Sequence, residues 1–151
     1  MLTIKQFFKK YGVLSTTNFD LLKIAKELKI KKFYCCMKDE LKEISNCKKF
    51  YKVKSKTLPI YIVCNYQSTI NRGTHWVALY KDIQNSYYFD SYGIDVIKEA
   101  IDFLGHGIYN TFKIQKLGEE YCGQISLYVL YCLYNGKDFY DTVLYLKNEL
   151  Q

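Results

Sequence analysis

The chain has 151 residues, of which 49% are hydrophobic and 17% aromatic, enough apolar matter to build one core and too much for an intrinsically disordered polymer. Its apolar runs, such as Ile60–Cys64 and Ile125–Leu133, fall short of the roughly 20 residues that cross a bilayer, and Met1-Leu2-Thr3-Ile4-Lys5-Gln6 lacks the apolar stretch of a secretory signal. One unsecreted domain over residues 1–151, with no membrane partner, is therefore expected. The net charge of +7 is unevenly spread: residues 1–60 hold 15 Lys against 5 acidic residues, and residues 61–151 hold 7 basic against 10 acidic. Arg72 is the single Arg among 22 basic residues, unlike a protein built for bidentate contacts to bases or phosphates.

In chain order, residues 3–11 read as a short amphipathic helix. Residues 17–30 read as a stronger one, capped by Thr17, with Asp20 in its first turn and an apolar stripe of Phe19, Leu22, Ile24, Ala25 and Leu28. Lys48 to Lys56 is a basic, weakly patterned surface or edge segment. Residues 59–65 predict a buried strand. Residues 74–81 and 86–92 are aromatic and rich in β-formers, and the polar turn 82–85 joins them as a hairpin. Residues 94–104 predict a helix with Asp95 near its start, and residues 111–116 a short strand. Residues 122–134 are apolar on nearly every face, the mark of a helix inside the core, and residues 139–150 form a final amphipathic helix. The order of elements predicts an α+β fold, with a basic, mostly helical part over 1–60 and the sheet over 61–151.

The six cysteines, at 35, 36, 47, 64, 122 and 132, contain no CxxC, and His75 and His106 are the only histidines, so no zinc pattern forms. Reduced thiols used as small apolar residues are the plain reading for all but Cys122. Cys122 begins the most apolar helix, where the positive end of the helix dipole favours a thiolate, the nucleophilic form. Gly123 beside it leaves room for a substrate carbonyl to approach the backbone. His75, at the start of a strand in Gly73-Thr74-His75-Trp76-Val77-Ala78, can take the thiol proton. His106, between Gly105 and Gly107, reads as a loop residue. Asp90 lies on the next strand of the hairpin and can orient His75, with Asp82 a rival nearer the turn. Gln115, seven positions before Cys122, can offer its amide to a developing oxyanion beside the Cys122 N–H.

His75-Trp76, then Phe89-Asp90-Ser91-Tyr92-Gly93, then Gln115 and Cys122-Gly123 resemble the adenovirus-endopeptidase-like (adenain-type) cysteine proteases. These share a papain-like clan with the proteases that remove SUMO and related modifiers. The wording is most similar to maturation proteases of virophages, Polinton-type elements and large DNA viruses. The likeness covers residues 73–134 and extends more loosely to Asn18-Phe19-Asp20-Leu21-Leu22 and Met37-Lys38-Asp39-Glu40-Leu41. It implies a small central mixed or antiparallel sheet with the nucleophile at the N-terminus of a buried helix. It implies Cys122 as nucleophile, His75 as general base and acid, Asp90 as orienter and Gln115 with the Cys122 N–H as oxyanion hole. It places Trp76, with Gly123, at a narrow substrate cleft.

The function so implied is an endopeptidase of capsid and other virion precursors at Gly-containing sites, acting in the virion and in the host cytoplasm or nucleus. The alternative is a deconjugating isopeptidase for SUMO or another ubiquitin-like protein. No cofactor or metal is required. Relatives of the adenovirus type are stimulated by DNA and by a virion-derived peptide, and basic residues 1–60 are the part of this chain that could meet DNA. Glu119-Glu120-Tyr121 departs from the family, which often has small residues before its cysteine.

Overall fold

A computed structural model describes residues 1–46, 58–69, 75–105 and 107–151. The N-terminal helices start on reciprocal caps. Thr3 Oγ1 accepts from the Gln6 N–H while Gln6 Oε1 accepts from the Thr3 N–H, opening α1 (Ile4–Tyr11). Thr17 and Asp20 repeat the exchange for α2 (Asn18–Glu27). This helix is shorter than its pattern predicts, because Lys29 and Lys32 take positive φ (60° and 56°) and turn the chain. Its buried face is also rotated from the expected stripe. Leu21, Ile24 and Ala25 face inward, with Leu21 against Gly123, which leaves Phe19 (76% exposed) and Leu22 (41%) outside.

The chain then enters β1 (Phe33–Met37), a strand the sequence pattern did not predict in the N-terminal part expected to be mostly helical. A 3-10 turn (Lys38–Glu40) leads to α3 (Leu41–Asn46), followed by β2 (Ile60–Asn65), β3 (Trp76–Lys81) and β4 (Ser86–Phe89). Next come α4 (Lys98–Leu104), β5 (Ile108–Tyr109), α5 (Cys122–Tyr134) and α6 (Phe139–Leu150). The helix expected over 94–104 begins at Lys98. The strand expected over 111–116 does not form; the Ile114 and Gln115 N–H groups both donate to Ser91 O, at 2.8 and 2.9 Å, so the segment is tied to a loop and joins no ladder. The segment from Lys48 to Lys56, Cys47 and His106 lie outside the described residues.

The five strands form one mixed sheet in the order β1-β2-β3-β4-β5. The outer pairs β1–β2 and β4–β5 are parallel, and β2–β3 and β3–β4 are antiparallel. Both faces are covered, so every residue of β2 is buried and the strand reads as an unbroken apolar run. One face packs Tyr61, Val63, Trp76, Ala78 and Phe89 against α1, α2, α5 and α6. The other packs Ile60, Ile62, Val77, Leu79 and Tyr88 against α3 and α4. Among the described residues no helix is long and apolar enough to cross a membrane.

Candidate active site

The hairpin decides which carboxylate meets His75. Its turn is built on Asp82, whose Oδ1 accepts from the Gln84 and Asn85 N–H groups and whose Oδ2 accepts from the Tyr80 hydroxyl. At the other end the register pairs Ala78 with Phe89. Continued one step, it sets Asp90 across from position 77, and two-residue alternation puts His75 on that same side, a diagonal neighbour. Asp90 Oδ1 lies 2.7 Å from His75 Nε2, and Asp82, the rival on the sequence, is spent on the turn. The His75 backbone is fixed as well, since its carbonyl accepts from the Tyr66 N–H at 2.7 Å.

Asp90 is fully buried, and its surroundings explain how it stays in place. Oδ1 also accepts from the Tyr92 N–H at 2.8 Å. Asn110 grips the Asp90 main chain from both sides: its Oδ1 accepts from the Asp90 N–H at 2.9 Å, and its Nδ2 donates to the Asp90 carbonyl at 2.6 Å. The chain then turns on Gly93, at φ +62°. The Phe112 carbonyl carbon would lie 2.7 Å from any Cβ there, so only glycine fits.

Cys122 is the first residue of α5 and is 9% exposed. No side chain caps this helix and no acid lies in its first turn, so its N-terminal N–H groups have no internal competitor for an anion. The thiol lies close enough to His75 to act on its protonation. With Nε2 taken by Asp90, Nδ1 is the ring nitrogen left to face the thiol; it is buried and forms no hydrogen bond in this structure. Burial pulls the His75 pKa down, but the hydrogen bond to Asp90 and then the neighbouring Cys122 thiol outweigh burial and raise it to about 9. The imidazole thus holds a proton well above its usual range.

Gln115 is fully buried and lies against the turn that leads into α5. Ser91 Oγ donates to its Oε1 at 2.7 Å, and its Nε2 donates to the Glu119 carbonyl. Tyr92 closes the site from the side, its ring centroid 4.6 Å from that of His75. Burial first, then the nearby charge at Cys122, raises the Tyr92 pKa. Trp76 is 9% exposed and donates from Nε1 to the Thr16 carbonyl at 3.1 Å. A Cβ on Gly123 would lie 2.1 Å from Thr16 Oγ1 and 3.2 Å from both Leu21 and Trp76. The space beside Gly123, expected to admit a substrate carbonyl, is filled from within the protein, and packing is what requires glycine there.

His75, Asp90 and Cys122 thus come together, with Gln115 on the turn into α5, Gly123 in the first turn of that helix and Trp76 packed against it. The sequence pattern assigned no part to Ser91, Tyr92, Asn110 or Thr16. Ser91 and Tyr92 stood in the same run as Asp90 and could have been found by asking what holds a buried carboxylate and amide. Asn110 and Thr16 carried no local signal. Among the described residues no cluster of His, Cys, Asp and Glu could hold a metal ion.

No family model matches this sequence, and no curated protein does. The structure does match a solved one, the crystal structure of selenomethionine ASFV pS273R protease, at a TM-score of 0.59 and 19% identity. The fold is shared with a protease. The match covers 89% of this chain and 66% of that one, so this chain spans less than two thirds of the protease's length. What is shared is the mixed α+β architecture, a five-stranded mixed sheet flanked by helices.

Proposed function

We propose that this chain is a cysteine endopeptidase. One observation carries the reading: a buried imidazole bonded to a buried carboxylate on one nitrogen and interacting on the other side with a thiol at a helix N-terminus. The likeness in fold to a protease agrees with it.

In the proposed reaction the proton that leaves the Cys122 thiol already sits on His75 Nδ1, while Asp90 holds Nε2–H and steadies the imidazolium. The sulfur attacks the substrate carbonyl carbon. The carbonyl π pair moves onto oxygen, where the Cys122 N–H and the Gln115 amide stabilise it. Collapse breaks the C–N bond, and His75 returns its proton to the leaving amine. Water, deprotonated by His75, then attacks the thioester, releasing the carboxylic acid and restoring the thiol. The proposed substrates are capsid and other virion precursors cleaved at Gly-containing sites, from the resemblance of residues 73–134 to viral maturation proteases. Stimulation by duplex DNA through residues 1–60 belongs to the same proposal.

The test is incubation of purified protein with a capsid precursor. Discrete cleavage is expected, abolished in Cys122→Ala and in His75→Ala, and lowered in kcat by about 10²–10³ in Gln115→Ala. Full cleavage by Cys122→Ala would overturn the proposal. Faster release of a reporter from SUMO or ubiquitin than from a short Gly-containing peptide would move it to the deconjugating class.

A further inference from the structure

We infer that Ser91 is a positioning residue that anchors the Gln115 amide in the orientation the Glu119 carbonyl dictates, so that the Asp90-Ser91 dipeptide holds the proton-transfer and oxyanion halves of the site in one register. The inference rests on the cysteine protease reading and assigns a residue that reading does not use.

The argument is one of donors and acceptors. The Glu119 carbonyl can only accept, so the Gln115 atom facing it is the nitrogen. Oε1 therefore faces Ser91, and because an amide oxygen only accepts, the Ser91 hydroxyl must donate. A primary amide has two N–H bonds. Glu119 takes one and leaves one for a substrate oxyanion. Reversing the amide would set oxygen against the Glu119 carbonyl and lose that bond outright. The Ser91 hydroxyl, which can also accept, anchors the other end without sacrificing the Glu119 bond only in the observed orientation. Ser91 reinforces this through its backbone, since its carbonyl accepts from the N–H groups of both Ile114 and Gln115. Gln115 and Ser91 are each fully buried, so no water replaces the lost partner when the hydroxyl is removed. The neighbouring Asp90 meanwhile holds His75 from the opposite side of the same short loop.

The test compares wild type, Ser91→Ala, Ser91→Thr, Gln115→Ala and the Ser91→Ala/Gln115→Ala double variant. The probe is the tightest binder from a pool of peptide aldehydes varied at the two residues before the aldehyde. An aldehyde adds the Cys122 sulfur to give a hemithioacetal whose oxygen occupies the oxyanion position, whereas iodoacetamide alkylates the same sulfur and makes no oxyanion. Ser91→Ala should weaken aldehyde binding and lower kcat about tenfold, the worth of one neutral hydrogen bond. KM and the alkylation rate should stay within twofold. The double variant should be no worse than Gln115→Ala, and Ser91→Thr, which keeps the hydroxyl, should recover most of the loss. Losses that multiply in the double variant, or an alkylation rate that falls with aldehyde affinity, would show general disturbance of the site and overturn the inference. Unchanged aldehyde affinity in Ser91→Ala would overturn it while leaving the protease reading intact. A wild-type protein that binds no aldehyde would remove both.

Discussion

At the scale of single residues, the His75 ring is where the electrostatics of the site converge. Burial alone would leave it neutral, and Asp90 and Cys122 hold its pKa at about 9. In an NMR titration the imidazole of wild type should therefore titrate near 9. That of Asp90→Asn should titrate lower, because the largest upward contribution is gone while the burial cost remains. The same shift links the ring to stability. The folded value lies above the unfolded value of about 6.5, so the stabilisation is fully present below pH 6.5 and is lost as pH rises through 9. The urea midpoint of wild type should fall over that window, and that of His75→Gln should stay nearly flat. The other thiols behave differently. Burial pushes Cys35 up to about 12 and Cys132 up to about 11, and a hydrogen bond to Cys36, then burial, holds Cys64 well above its usual value. Iodoacetamide at pH 7 should modify Cys122 in the folded protein and leave these three intact, read by peptide mass. Equal modification of all four would mean that the fold gives Cys122 no distinction.

At the scale of elements, α5 is the piece the others are fitted around, and the fit is tightest at Gly123. A methyl there meets the Thr16 hydroxyl at 2.1 Å, and Thr16 belongs to the loop whose carbonyls accept from Trp76 Nε1 and Gln124 Nε2. Gly123→Ala should cost about 1–3 kcal/mol in chemical unfolding, despite the better helix propensity of alanine. Adding Thr16→Ala should recover much of the loss, and a double variant no more stable than Gly123→Ala would refute the contact. This packing was invisible in the sequence, which shows a glycine after a cysteine but not a loop about a hundred residues away. The helix itself was legible, because thirteen residues apolar on nearly all sides can only lie inside a core. So was the hairpin, because its turn residues are ones that bond their own backbone, and it brought Asp90 and Asp82 forward as the two candidates to meet His75. β1 was not legible: Phe-Tyr-Cys-Cys-Met is short, shows no alternation and is flanked by lysines, and a parallel pairing with β2 makes it a strand. Residues 111–116 failed the other way. Their composition suits a strand, but among the described residues no strand pairs with them, and Ser91 takes the N–H groups of Ile114 and Gln115. Local pattern names the elements that bury themselves, and partners decide the rest.

At the scale of the whole molecule, the described residues of the basic N-terminal part are structural material, with their lysines on its outer side. Ile4, Phe7, Leu21 and Ala25 are essentially unexposed in the core that supports α5. The first residues are also tied down by tyrosine hydroxyls from the C-terminal helices. Tyr128 donates to the Leu2 carbonyl at 2.9 Å, while the hydroxyls of Tyr131 and Tyr145 accept from the Leu2 and Ile4 N–H groups at 2.9 and 3.0 Å. Phe7 meets the Tyr128 ring edge-on at 5.2 Å. Deleting residues 1–11 therefore removes two fully buried side chains, at about 2–5 kcal/mol each. It also strands three buried or half-buried hydrogen-bonding groups, at about 1 kcal/mol or more each. The sum reaches the whole stability of an ordinary domain, about 5–15 kcal/mol. The shortened chain should lose its cooperative thermal transition and its dispersed amide spectrum, and with them any reactivity peculiar to Cys122. Tyr128→Phe isolates one hydroxyl and should cost only about 1 kcal/mol, with the transition kept. A truncated protein that still melts cooperatively would return residues 1–11 to the role of a detachable basic flank, and any effect of DNA would then be sought there first.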